Sequence, residues 1–200
     1  MRTSRMEAFT DGVVAIAITI MVLELHVPES ADPRVLLAAA PLFLAYVLAY
    51  INIGLYWNNH HHLLQAAEHI DGRALWANLF LLFWITLVPF VIRWIDQAGV
   101  LAPAPVAAYG IVLGLAAAGY MWLTKAIITI NGGRDSTVAR AVGQDWKGWM
   151  SLIGYAAAVP IAFVASWLSI AIYVVIAAAW FIPDRRIERR VARDQSSSSS

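Results

Sequence analysis

From Gly148 to Phe181 the chain carries no charged side chain at all, and this stretch constrains the fold more than any other feature. In water so long an apolar run would need to be wholly buried, whereas a hydrocarbon layer about 30 Å thick accommodates it directly. One crossing takes about 20 residues, so the run is too long for a single helix. It reads as two shorter helices that break near Ser166-Trp167-Leu168-Ser169, with Pro160 bending the first. Trp167 then falls at the interface, where aromatic belts form. Composition agrees: of 200 residues, 60% are hydrophobic and 14% charged, with a mean hydropathy of +0.66. A soluble domain carries about 25% charged residues. The absence of cysteine removes disulfide frameworks, thiolate metal sites and thiol nucleophiles from consideration.

The sequence therefore predicts an all-α integral membrane protein with six transmembrane helices, at about 8–27, 35–59, 74–95, 104–128, 148–165 and 168–183. Pro28 ends the first, and the polar run Asn58-Asn59-His60-His61-His62 stops the second. Pro89 kinks the third, Pro105 suits the start of the fourth, and Pro183-Asp184-Arg185-Arg186 closes the last. Residues 1–190 form one domain, and 191–200, ending in a run of serines, form a low-complexity tail. Arg2 and Arg5 ahead of an apolar core imitate a secretory leader, but Glu7, Asp11 and the lack of a small-x-small cleavage site argue against one. No internal repeat is visible, which disfavours a transporter built from two inverted halves.

Charge fixes the orientation. With both termini cytoplasmic, the inside holds Arg2, Arg5, Arg73, Lys125, Arg134, Arg140, Lys147, Arg185, Arg186, Arg189, Arg190 and Arg193. Only Arg34 and Arg93 lie outside, so twelve of the fourteen basic residues are inside. That asymmetry follows the positive-inside rule and requires an even number of crossings. A multi-pass protein of the inner (plasma) membrane is expected. The basic residues between 125 and 147 are explained by topology, and nucleic acid is not expected as a partner.

Three features could carry chemistry. On the first helix, Gly12, Ile16, Thr19 or Ile20, Leu23 and Val27 share one face at steps of three and four residues. Facing a symmetry axis, this line makes a constricted column of branched apolar side chains with one ring of hydroxyls, and such constrictions gate ions by dewetting. Facing other helices, it is ordinary packing. Arg5 and Asp11 stand at the membrane border, where charge is costly without a partner. They read as a pair buried in the bundle, bonded to each other or to the polar end of the second helix, or else Asp11 is a titrating carboxylate. Glu24, near the outer end, is either a cation-attracting ring at a pore mouth or a side chain snorkelling to the interface. His60, His61 and His62 are consecutive, so on a helix they point about 100° apart and cannot converge on one metal. They are expected to bond to the first helix. No nucleotide, nucleophile-elbow or zinc-protease motif is present, and no enzyme activity, cofactor or fixed metal is expected.

The segment Arg5-x-x-x-Phe9-Thr10-Asp11, continuing into Gly12-Val13-x-Ala15-Ile16-Ala17-Ile18-Thr19, resembles the first-helix signature of the transmembrane protein 175 potassium-channel family. Trp57, Asn59, His60 and His61 after the second helix also look like that family. The family pattern has serine where Thr10 stands, a change that keeps the hydroxyl. The resemblance implies a homotetramer of six-helix subunits in which the first helix lines a central pore. It further implies that Ile16 forms the bottleneck, Thr19 a hydroxyl ring linked to potassium preference and Leu23 a further apolar layer. Gly12, Ile20, Glu24 and Val27 are further pore-lining candidates. Arg5, Phe9, Thr10 and Asp11, with Trp57, Asn59, His60 and His61, organise packing. The expected function is a leak-type cation channel that prefers potassium and also passes rubidium and caesium. Its partners are the lipid bilayer, monovalent cations and other copies of itself. A proton-coupled transporter using Asp11 or Glu24 is the main alternative.

Overall fold

A computed structural model describes residues 3–25, 32–143 and 146–181. Every regular element among them is helical. In chain order they are α1 (Thr3–Leu23), α2 (Pro33–Gln65), α3 (Gly72–Thr86), α4 (Val88–Ala98), α5 (Pro103–Ile130), α6 (Thr137–Val142), α7 (Trp146–Ile161) and α8 (Ser166–Phe181). A 3₁₀ turn, Gly133–Asp135, precedes α6. Among the described residues, four spans are long and apolar enough to cross a membrane: α1, α2, α3 with α4, and α5. The chain is a multi-pass membrane protein. Val27, Pro28, Pro183 and the 191–200 tail lie outside the described residues.

Helix boundaries follow local chemistry. Asp32 caps α2 by accepting the Arg34 N–H at 2.9 Å, and Pro33 occupies the first turn, where its missing donor costs nothing. Asp71 caps α3 in the same way, accepting from Ala74 N at 2.9 Å. The third span breaks at Leu87, between α3 and α4. Pro89 has no N–H for the carbonyl of Ile85 and disfavours helical geometry at the preceding residue, which accounts for the expected kink.

Two expectations need correction. α2 does not stop at Asn58–His62 but continues to Gln65. A polar run ends a helix only when its groups find no partners, and here they bond across to α1 and α3. The break between the last two helices falls at residues 162–165, earlier than the expected Ser166–Ser169. Pro160 weakens the end of α7, and α8 begins at once on Ser166, whose hydroxyl donates to Ala162 O at 2.9 Å. Ser169 is part of the helix contact: fully buried, it donates to Ala158 O at 2.7 Å and ties α8 to α7. Trp167 stands exposed in the first turn of α8.

α5 is the central post, packed against α3, α4, α7 and α8. At Gly119 an added Cβ would lie 3.0 Å from the Leu81 Cα, so the absence of a side chain lets α5 and α3 approach backbone to backbone. Asn131, just past α5, accepts from the backbone N–H groups of Glu68 and His69, both at 2.9 Å. It thereby fastens the α2–α3 connection to the same end of the bundle. α1 lies at the edge, against α2, α3 and α4.

Candidate functional site

α1 has two unlike faces. Met6, Thr10, Val14, Ala17 and Met21 recur at steps of three and four and are buried against the bundle. The opposite side carries Phe9, Gly12, Ile16, Thr19, Ile20 and Leu23, all exposed in the single chain. Ile16 is 59% and Leu23 81% exposed, so neither packs against the chain's own helices. The line read from the sequence as pore or packing is thus uncovered by this subunit. Gly12 has nothing within 4 Å of where a Cβ would stand.

Within that face Thr19 is distinctive. Its hydroxyl donates back into α1, lying 3.0 Å from both Ala15 O and Ile16 O. With the hydrogen held inside the helix, the oxygen lone pairs are what the residue presents outward.

The buried face is fixed by polar bonds at its Thr3 end. His60 Nε2–H donates to Asn78 Oδ1 at 2.9 Å, and Asn78 Nδ2 donates to Thr10 Oγ1 at 3.0 Å. Thr10, His60 and Asn78 are each at most 3% exposed, so one side chain from each of α1, α2 and α3 meets in an enclosed network. Beside it, Trp57 Nε1–H donates to Asp11 Oδ1 at 2.8 Å. His61 Nδ1–H donates to Glu7 Oε1 at 2.8 Å, while its Nε2 accepts from Gln65 Nε2 at 2.8 Å. The Trp57 and His61 rings stack at 5.9 Å between centroids. Buried polar groups this well matched set the rotation and height of α1 against its neighbours.

The remaining candidates fall elsewhere. Arg5 is exposed on the Ile16 side and, among the described residues, forms no ion pair; Asp11 is bonded to Trp57 of α2 but is itself exposed, so neither is buried in the bundle as expected. Asn59 meets α5 through its backbone, whose carbonyl accepts the Tyr120 hydroxyl at 3.2 Å. His62 is exposed. His60 bonds Asn78 and His61 bonds Glu7 and Gln65, while the His62 ring lies 5.6 Å from that of His61 between centroids, and no group of three His, Cys, Asp or Glu among the described residues is arranged to hold a metal. Glu24 pairs with Arg93 of α4 at 3.2 Å, an arrangement that neither of its expected roles anticipated. Sequence analysis missed Asn78, although it is the only amide in the apolar run Ala74–Ile85, where a lone polar side chain needs a buried partner. The expected bonding of a histidine to the first helix is met at His61, although its partner there, Glu7, carries no signal until the two helices are placed together.

Known proteins resemble this chain in sequence and fold. The profile of the family described as endosomal/lysosomal potassium channel TMEM175 matches residues 5–89. A potassium channel of Chryseobacterium sp. (strain P1-3) is 44% identical over 189 residues, spanning 94% of this chain and 97% of that protein. A potassium channel of Streptomyces collinus is 31% identical over 180 residues, spanning 84% of this chain and 86% of that protein. The crystal structure of a Chamaesiphon minutus homologue of the lysosomal potassium-selective channel TMEM175 superposes with a TM-score of 0.74 at 27% identity. That match covers 89% of this chain and 95% of the other.

Proposed function

The chain belongs to the TMEM175 family of potassium channels, and on that premise we propose that it conducts potassium through a pore lined by α1 of four identical subunits. It is a channel, not an enzyme. In this reading the subunit crosses the inner membrane six times with both termini in the cytoplasm, and residues 1–190 form the channel domain. The observation that supports the pore is the uncovered face of α1: branched apolar side chains and one hydroxyl, turned away from every helix of their own subunit.

Around a fourfold axis that face becomes a stack of rings. Ile16 makes the narrowest, Leu23 an apolar layer a turn or two beyond, and Gly12 widens the path on the other side. Ile20 borders the column. An apolar ring excludes water at small radius, so conduction requires it to widen or rotate. The Thr19 ring offers oxygen acceptors in place of lost hydration waters, because its hydrogen is engaged by Ala15 O and Ile16 O. Potassium gives up water more readily than sodium, and rubidium and caesium more readily still, so both larger ions should pass. Thr10 and Asp11, with Trp57, His60 and His61, hold the helix so that this face points to the axis, while Arg5 and Phe9 lie at the cytoplasmic end of the same face. The carriers that a proton-coupled transporter needs are both engaged, Asp11 by Trp57 and Glu24 by Arg93.

The test is the reversal potential in planar bilayers under a potassium–sodium gradient. Wild type should reverse towards the potassium potential. Thr19→Ala should move the reversal towards zero, and Ile16→Ala should raise the conductance. Flux that is strictly coupled to a proton gradient would overturn the channel reading.

A further inference from the structure

Away from α1, the subunit encloses a second concave surface of about 430 Å³ between α2, α4, α5 and α8. Pro41, Leu48, Ile92, Val106 and Val174 line it. The tyrosines at its wall already have partners: the Tyr173 hydroxyl donates to Val106 O at 3.1 Å, and the Tyr109 hydroxyl accepts from Asn52 Nδ2 at 3.3 Å. What the groove offers a ligand is therefore hydrocarbon. It is nearly three times the size of the roughly 150 Å³ apolar cavity that suffices to bind benzene. Left empty, its walls would forfeit their dispersion contacts. Its lining from α2, α4 and α5 belongs to membrane-crossing spans, and that from α8 to a shorter apolar helix. The medium at its mouth is then acyl chain rather than water.

A cation lies in line with the groove. Arg34, Pro41 and Leu48 follow one another at seven-residue steps along α2, and such positions drift by only about 20° per step. Arg34 is exposed near the start of α2, about 10 Å along the axis from Pro41 at 1.5 Å per residue. That places a guanidinium at headgroup height on the side of α2 that enters the groove. Guanidinium groups bind phosphate by paired hydrogen bonds. α1 supplies no lining residue, so the groove is separate from the face assigned to the pore.

We propose that this is a binding site for one membrane phospholipid, with its phosphate on Arg34 and one acyl chain in the groove. The chain would lie against α4, which in turn packs on α1 and holds Glu24 through Arg93. The lipid tail thereby completes the wall behind the outer half of α1.

The experiment reconstitutes the full-length channel in nanodiscs of phospholipid brominated in its acyl chains and images it by electron cryomicroscopy. Bromine density in the groove, with phosphate density at Arg34, is the expected result. Leu48→Trp should abolish the groove density while the fold is kept. Arg34→Gln, which alters no buried side chain, should lower the phospholipid phosphorus retained per chain several-fold after a delipidating wash, and it carries the test if Leu48→Trp fails to fold. An empty groove, side chains of a neighbouring copy filling it, or unchanged phosphorus in Arg34→Gln would overturn the proposal.

Discussion

In the proposed pore a single hydroxyl at Thr19 serves two purposes: its hydrogen is held by the α1 backbone, and its oxygen is left to face a cation. Serine there can make the same backbone bond, whereas valine keeps the shape and loses the oxygen. The account predicts that Thr19→Ser retains potassium preference and Thr19→Val loses it, read as the shift in reversal potential. The Thr10–His60–Asn78 network obeys a different logic, since its members are buried and bonded only to protein. Asn78→Leu leaves the His60 N–H and the Thr10 hydroxyl without their amide. Interhelical bonds of this kind contribute about 1 kcal/mol in membranes. Asn78→Leu should lower the melting temperature of the detergent-solubilised protein without altering selectivity, and Thr10→Val should add little more in the double variant, since both act on one network. Residue spacing displayed the α1 line, but spacing states only that residues share a face. It is silent on what the face meets. Arg5 and Asp11 illustrate the same limit: their charges announced a need for partners, yet the partner of Asp11 is an indole N–H on α2.

Among the helices, the sequence was most informative where proline or charge punctuates it and least where polar side chains bond across the bundle. Pro89 gave the kink between α3 and α4, while α5 begins on Pro103, two residues ahead of the expected Pro105. The polar run at Asn58–His62 looked like an end and proved to be a contact face, because its partners come from α1 and α3, far away in sequence. Glycines separate into two kinds by what surrounds them. Gly119 sits against the α3 backbone, so Gly119→Val forces the helices apart, and overpacking of this sort costs about 1–3 kcal/mol. Gly12 has open space around it in the subunit. Gly119→Val should therefore lower the yield of folded protein in size-exclusion profiles, whereas Gly12→Val should fold normally and reduce single-channel conductance.

For the whole molecule, the charge distribution and the apolar spans fit a lipid-embedded bundle, and the proposed pore requires that it present the uncovered face of α1 to its neighbours. The number of subunits is not written in composition, because one chain displays only the half of an interface that it owns. The absence of native cysteine permits a direct test of which side of α1 meets the ions. Thr19→Cys and Leu23→Cys place a thiol on the uncovered face, and Ala17→Cys and Met21→Cys place one on the packed face. The decisive measurement is potassium current through each variant before and after a cationic methanethiosulfonate reagent. The account predicts irreversible block at Thr19→Cys and Leu23→Cys, with Ala17→Cys and Met21→Cys spared. Unchanged current at both stripe positions, or equal block on both faces, would contradict the assignment of α1 as the pore helix.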